Sequence, residues 1–366
     1  MSKTSFSLRL LAISSIASEV LEIINKIIDK GFAYESNGSV YFDLDEFRKK
    51  NKYGKLSGRE IDDLISNTRS LTNQKDKKNS YDFALWKKAD SKHLMKWNSP
   101  WGYGFPGWHL ECTAMSHKYL GDKFDIHGGG IDLKFPHHEC EIAQSDALSN
   151  TDSINYWMHT NMLTLNNKKM SKSTGNNILP KDLISGKNKL FKKEYSSNAI
   201  RFFFLQAHYR NILDLSENAL LASEKGYNKI VDASEKLENL KENNSPESNF
   251  DLENWINNCY DCMNDDFNTP KLIAEIFTLV KLINKIHDGK ESFNSSKIKL
   301  LKDIFSVFIL DVLGLNLHLS TSNNNDLLLD LILDLRNEAR INKDYKTSDS
   351  IRDKLSKIGY NINDKD

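Results

Sequence analysis

The run Lys169-Met170-Ser171-Lys172-Ser173, continued by Thr174-Gly175-Asn176, sets two lysines three residues apart among hydroxyls, a glycine and an asparagine. That composition favours a mobile loop. Ammonium groups placed this way can meet the charge that builds on a departing pyrophosphate and stabilise it electrostatically. A second set of residues has metal-ligand character. Cys112 closes the run Gly107-Trp108-His109-Leu110-Glu111-Cys112, and Phe135-Pro136-His137-His138-Glu139-Cys140-Glu141 follows downstream. On a helix, His137 and Glu141 share one face. An imidazole and a carboxylate there, joined by a thiolate from elsewhere, make a zinc-type ligand set. Spacing alone is a weak signal, because such a pair is usually a solvated helix face. His138 and Cys140 are competing donors from the same stretch. Cys259 and Cys262 form a Cys-x-x-Cys, but the sequence around them is helical and offers no second pair, which favours packing over metal.

Composition sets the limits within which these groups must work. The 366 residues suggest two to four domains and allow a sizeable core. Fifty basic residues balance fifty acidic ones. A net charge of zero argues against binding nucleic acid through bulk charge and leaves room for a local basic face. No apolar run approaches a membrane span, since Phe305 to Leu310 is soon interrupted by Asp311. Four cysteines in so long a chain point to a reducing compartment. Met1 to Ser18 carries Lys3 and Arg9 with no acid, as a transit or signal segment would. Its apolar period continues into Glu19-Val20-Leu21-Glu22-Ile23-Ile24 without a break, which favours an amphipathic helix.

The elements that position these residues follow from the pattern. A helix to about residue 30 is closed by Gly31. A hairpin spans Phe32 to Phe42, with its turn at Asn37-Gly38. Residues 49 to 80 read as lysine-rich loop with one short helix near Glu60 to Ser66. Asp82 to Leu110, dense in aromatics and glycines, reads as an irregular packed loop. A helix from about His109 to Leu120 follows. Lys123 to Ile126 reads as a short buried strand leading into His127-Gly128-Gly129-Gly130. Pro136 suits the first turn of a helix that carries His137 to about Leu148. Tyr156 to His159 and Met162 to Leu165 are strand-like. After Asn198 the chain reads as almost all helix, with linkers at Asn243 to Asn249 and Ser320 to Asn325. Asn268-Thr269-Pro270 is a helix start, and Leu327 to Ile358 reads as two helices turning near Asn342-Lys343-Asp344.

The lysine run resembles the second signature of class I aminoacyl-tRNA synthetases. The first signature, a His-x-Gly-His turn, is found nowhere in these 366 residues. Gly107 to Ser116, Asp125 to Ser145 and Lys169 to Asn176 resemble three signature blocks of cysteinyl-tRNA synthetase, in that family's order and spacing. Asp82-Phe83-Ala84-Leu85-Trp86-Lys87, Ala207-His208-Tyr209-Arg210 and Asp265-Asp266-Phe267-Asn268-Thr269-Pro270 are also similar to it, so the likeness runs from about residue 20 to 360.

The resemblance implies an α/β then all-α fold. That is a partial class I Rossmann-like catalytic core with an inserted segment, a stem-contact region and a helical anticodon-binding domain. The expected boundaries are 1–106 for the rest of the insertion, 107–160 for the second half of the core and 161–217 for the lysine loop and stem contact. The helical bundle would be 218–318 and the anticodon-region helices 319–366.

By the same resemblance Cys112, His137 and Glu141 would be zinc ligands, with a fourth, a cysteine, near the family's N-terminus. The zinc would take the substrate thiolate and so separate cysteine from serine, a pair that a plain pocket discriminates poorly. The cysteine carboxylate would attack the α-phosphate of ATP, held with Mg2+, to give cysteinyl-adenylate and pyrophosphate, and the tRNA(Cys) ribose would then take the acyl group. Lys172 would be the main phosphate contact, with Lys169 assisting. Asp132 would bind the substrate amine, and Trp108 and His127 would close its pocket. Lys181, Lys187, Lys189, Lys192 and Lys193 would face the inner corner of the tRNA. Arg336, Arg340, Lys343 and Arg352 would lie near the anticodon. A cytoplasmic monomer is expected.

The likeness also implies that the N-terminal half of the nucleotide-binding fold and the family's Gly-rich tail are missing, as in a fragment, a truncated reading frame or a remnant. Such a chain is expected to make the adenylate poorly by itself and to hold zinc through the three remaining ligands, with water in the vacant place. Two other readings are a ligase joining cysteine to an amino-sugar, which shares this core without a full anticodon-binding tail, and a catalytically dead remnant that binds tRNA or zinc.

Overall fold

The computed structural model describes residues 14–59, 74–149, 153–170, 175–188, 190–191, 193–317, 322–342 and 344–357. The expected helix near Glu60 to Ser66, Lys172 with its hydroxyl neighbours, Lys189, Lys192 and Lys343 lie outside these residues, as does most of Met1 to Ser18. The chain divides into two compact units, Met1–Thr164 with Tyr209–Leu213, and Leu165–His208 with Asp214–Asp366.

The first unit opens with helix α1, Ala17–Asp29. Val20, Ile23, Ile24 and Ile27 recur at helical spacing and form its buried face. Gly31 ends it at φ +81°, a left-handed position that a side chain would strain. Strands β1, Ala33–Ser36, and β2, Ser39–Phe42, pair antiparallel across Asn37 and Gly38. Both turn residues have positive φ, as a tight hairpin of this twist requires. A short helix α2, Leu44–Arg48, is capped by Asp43, whose carboxylate accepts from Glu46 N at 3.1 Å.

The aromatic stretch is a correction. Phe83–Lys88 is strand β3 and Gly104–Pro106 is strand β4, completing a four-stranded sheet in the order β1-β2-β3-β4. Its density of rings hides the two-residue alternation, and cross-strand pairing rather than local pattern makes it sheet. Gly104 is needed there, because a Cβ would fall 2.2 Å from Trp86 Nε1.

Helix α3, Trp108–Leu120, packs on α1 and on α4, Glu139–Ser149. Thr113 Oγ1 donates to Gln144 Oε1 at 2.5 Å between the two. Between α3 and α4 runs β5, Phe124–Gly130, which pairs in parallel with β6, Ile154–Thr160. This β-α-β arrangement is the Rossmann-like part of the unit. The expected buried strand is instead partly open, with Asp125 and Ile126 exposed, because β5 has one strand neighbour among the described residues. The core joins α1, the four-stranded sheet, α3 and α4 around Phe42, Phe47, Leu85, Leu110 and Ala143.

Strands β7, Leu163–Leu165, β8, Lys168–Lys169, and later β9, Leu213–Leu215, form a three-stranded sheet in the order β8-β7-β9. The rest of the second unit is helical. It contains α5, Pro180–Ile184, α6, Ser197–Leu205, α7, Glu217–Glu238, α8, Leu252–Asn264, α9, Thr269–His287, and α10, Ser295–Ser306. Asn268 caps α9 by accepting from Lys271 N at 3.3 Å. Ile230, Trp255, Ile276, Leu279, Ile283 and Phe308 lie in its core. Cys259 is buried in that core, and Cys262 packs against it; both thiols are free.

The segment 243–249 is a pinned loop rather than a loose linker. Ser248 N donates to Ser292 O at 2.9 Å and Ser245 Oγ to Gly289 O at 2.7 Å. The expected linker at Ser320 to Asn325 is also corrected, since helix α11 spans Ser322–Ile341. Asparagines are tolerated in a first turn, where the amides have no intrahelical partner. Helix α12, Tyr345–Lys357, follows. No helix among the described residues is long and apolar enough to cross a membrane.

Candidate metal and substrate site

Phe135 is extended and kinks the chain, which turns helical again from Pro136 and runs on into α4, so His137 and Glu141 stand one turn apart on the same side. His137 Nε2 lies 3.0 Å from Glu141 Oε1. The packing of α3 on α4 brings Cys112 Sγ to 3.6 Å from the same nitrogen. One ligand atom from each of the three lies within 4.8 Å of the others, with His137 and Glu141 buried and Cys112 half-buried. Glu141 Oε1 is buried and accepts no well-aligned hydrogen bond among the described residues. A buried carboxylate oxygen in that state is costly, and a cation between the three donors relieves it. Thiolate, imidazole and carboxylate together fit zinc.

A second triad shares the carboxylate. His127, His138 and Glu141 also bring one ligand atom each within 4.8 Å of one another. His127 Nε2 is 3.6 Å from Glu141 Oε2. His138 Nδ1 lies 2.8 Å from His159 Nε2. Burial, then the neighbouring imidazoles, push His138 down to about 3, so it is a neutral ring at ordinary pH. Burial likewise lowers His159. Trp157 packs on both His127 and His138, with centroids 4.8 and 5.0 Å away. His159 and Trp157 carry no local signal, because their relevance comes only from β6 lying beside β5. Cys140 is not a competing ligand: its buried thiol faces Tyr53 Oη at 3.8 Å, and burial raises it well above the ordinary thiol range.

Trp108, Asp132 and His137 line a cavity of about 660 Å3 within the first unit. Trp108 is not a core residue. It is 59% exposed, and its ring lies 4.5 Å from that of His137. Asp132 is exposed at the turn after β5, folded back over Gly130, where a Cβ would meet its Oδ1 at 2.4 Å. His109, also on the wall, has a buried Nε2 without a partner among the described residues. Burial, then His137, hold it down to about 3. Sequence reasoning passed over His109, which stands three residues before Cys112.

In the second unit Lys169 is exposed at the end of β8. Asn176 Nδ2 donates to Lys169 O at 3.1 Å, tying together the two ends of the lysine loop. Lys181, Lys187 and Lys193 are exposed. The fold also brings an acid from far along the chain, since Lys193 pairs with Glu224 at 2.5 Å. Arg336 is buried, whereas Arg340 is exposed.

The arrangement of the first unit, with a helical second unit after it, is that of class I aminoacyl-tRNA synthetases. The family of tRNA synthetases class I (C) catalytic domains matches residues 6–225, and the DALR domain family matches residues 258–318. Over 350 residues the chain is 48% identical to the cysteine–tRNA ligase of Bacteroides fragilis, covering 94% of this chain and 71% of that one. Identity to the cysteine–tRNA ligase of Porphyromonas gingivalis is 47% with the same coverage. To that of Chlorobaculum tepidum it is 42%, over 94% of this chain and 70% of the other. Among solved structures, a Campylobacter jejuni protein assigned as an arginyl-tRNA synthetase matches at TM-score 0.50 and 15% identity, covering 82% of this chain and 61% of that one. That likeness concerns the fold alone. The chain belongs to the cysteine–tRNA ligase family.

Proposed function

We propose that this chain acts in the ATP-dependent joining of cysteine to its tRNA, with zinc as the element that selects the thiol. The carrying observation is the convergence of Cys112 Sγ, His137 Nε2 and the Glu141 carboxylate within 4.8 Å in a cavity wall. When bound, zinc supplies a preference for a thiolate ligand over a hydroxyl. Cys112, His137 and Glu141 would hold it. His127, neighbouring Glu141 Oε2, would orient the carboxylate. Trp108 would cover the amino-acid end of the cavity, and Asp132 would take the substrate's ammonium group. Lys169 and Lys172 would meet the ATP phosphates, accompanied by Mg2+, with the charge of Lys172 doing most of the work. The boundaries 1–106, 107–160, 161–217, 218–318 and 319–366 remain our assignment of parts to roles.

The DALR match over residues 258–318 favours tRNA over an amino-sugar as acceptor. Exposed lysines at 181 and 187 would contribute phosphate contacts. The test is a spectroscopic titration of the cobalt-loaded chain with cysteine and with serine. The resting site should show the sulfur-to-cobalt band of Cys112, absent in Cys112→Ala, and that band should grow on adding cysteine and not serine. Equal responses to both amino acids would refute the reading.

A further inference from the structure

Glu139 stands in sequence between the two donors His137 and Glu141, and it is 1% exposed. Residues two apart on a helix are about 200° apart around its axis, so its carboxylate leaves on the side away from those donors. There it meets the backbone of residues 54–58. Ser57 N donates to Oε2 at 2.8 Å and Leu56 N to Oε1 at 3.4 Å, one amide for each oxygen. The loop is shaped for this by its own backbone. Gly54 and Gly58 have φ of +87° and +69°, and Gly58 N donates to Gly54 O at 2.9 Å. A Cβ on Gly54 would fall 2.3 Å from Arg59 O, so a side chain there is both strained and crowded.

The same short stretch grips the chain on either side of the metal donors. The Arg59 guanidinium lies 4.8 Å from the centre of the Phe135 ring. Tyr53 Oη faces Cys140 Sγ at 3.8 Å, and Lys55 Nζ pairs with Asp146 Oδ2 at 2.8 Å. His137 needs such support. It follows closely on the break at Phe135, where φ is −146° and ψ is 131°, so no regular helix upstream fixes its orientation. Burying a carboxylate is costly even with two amides on it, and an apolar side chain would serve packing alone at less cost. We propose that Glu139 is a positioning residue for the metal. Through the amides of Leu56 and Ser57 it fixes the turn that carries His137 and Glu141, and with it the geometry they offer an ion. The inference rests on the metal reading above and adds to it a residue outside the donor set.

The test uses the full chain and two variants. Glu139→Gln keeps the volume and turns an N–H toward one of the two amides. Gly54→Ala disturbs the loop and changes nothing on α4. Cobalt affinity, the d–d bands of bound cobalt, urea unfolding, and hydrogen exchange of the 53–59 peptide in chelator are measured on each. In both variants the peptide loses protection, the d–d bands shift and cobalt binds about tenfold more weakly. A packing role alone would lower stability and leave the bands and affinity of the folded Glu139→Gln chain unchanged, which overturns the proposal. A band shift in Glu139→Gln with the peptide still protected overturns it too, because the effect would then come from the lost charge and not from the loop. Unchanged bands in a Gly54→Ala chain that has lost protection do the same. Where Gly54→Ala does not fold, or keeps its protection, the two readings on Glu139→Gln decide. A parent chain that binds no cobalt refutes the metal reading and this proposal together, whereas a parent that binds it, with variants that match, refutes the proposal alone.

Discussion

Replacing Glu141 by Gln keeps the volume of the side chain and removes its charge. The residue is 3% exposed, with Oε1 3.0 Å from His137 Nε2 and Oε2 3.6 Å from His127 Nε2. Without metal, Oε1 accepts no well-aligned hydrogen bond among the described residues. Removing a poorly satisfied buried charge, and offering an amide N–H to His137 instead, stabilises the metal-free protein by about 1 kcal/mol. With metal the sign reverses. Outer partners of a metal site are worth about 10–100-fold in affinity, so a direct anionic ligand is worth at least about 100-fold. That factor is about 2.7 kcal/mol. At equal free zinc the metal-induced stabilisation shrinks by that amount, which is about 5–10 °C of Tm for a unit of this size. Thermal unfolding followed by tryptophan fluorescence, in chelator and in buffered zinc, reads both effects. A variant destabilised equally in the two conditions would refute the reasoning. It would make the carboxylate a fixed ion-pair partner of His137 and not a ligand.

Two further changes probe the frame around the site. Gly107→Ala places a Cβ 2.1 Å from Ala84 O, a backbone atom that cannot swing aside. The start of α3 must shift off β3, so a loss of about 1–3 kcal/mol in urea unfolding is expected, with weaker zinc binding because Cys112 moves with the helix. In the second unit, Lys285 first, and Ser248 next, hold the Glu291 carboxyl below its ordinary 4.5. A depressed carboxyl stabilises the fold above that ordinary value and loses its contribution as pH falls through the lower, folded value. Glu291→Gln should therefore lower stability at neutral pH by less than about 1 kcal/mol, and the gap from the parent chain should close in acid.

Much of the local structure was legible. Asn37-Gly38 announced the hairpin because few residues accept positive φ in succession. Asn268-Thr269-Pro270 announced a helix start, and Gly31 a helix end, for equally local reasons. The aromatic stretch around β3 was not legible as sheet. Trp86 and Lys87 are placed by Pro106 and Phe105, about twenty residues further along, and nothing in their own neighbourhood encodes that partner.

The sequence by itself determined the kinds of groups and their short-range geometry. His137 and Glu141 share a helix face because they are four residues apart, and the lysine run carries its charges wherever it lies. Tertiary structure decided that Cys112 Sγ, 25 residues from His137, comes to 3.6 Å from its Nε2, that His138 leans on His159, and that Cys140 is buried against Tyr53. The reason is physical. Spacing along one helix follows from its pitch, but the meeting of α3 with α4, and of β5 with β6, depends on which apolar faces bury one another.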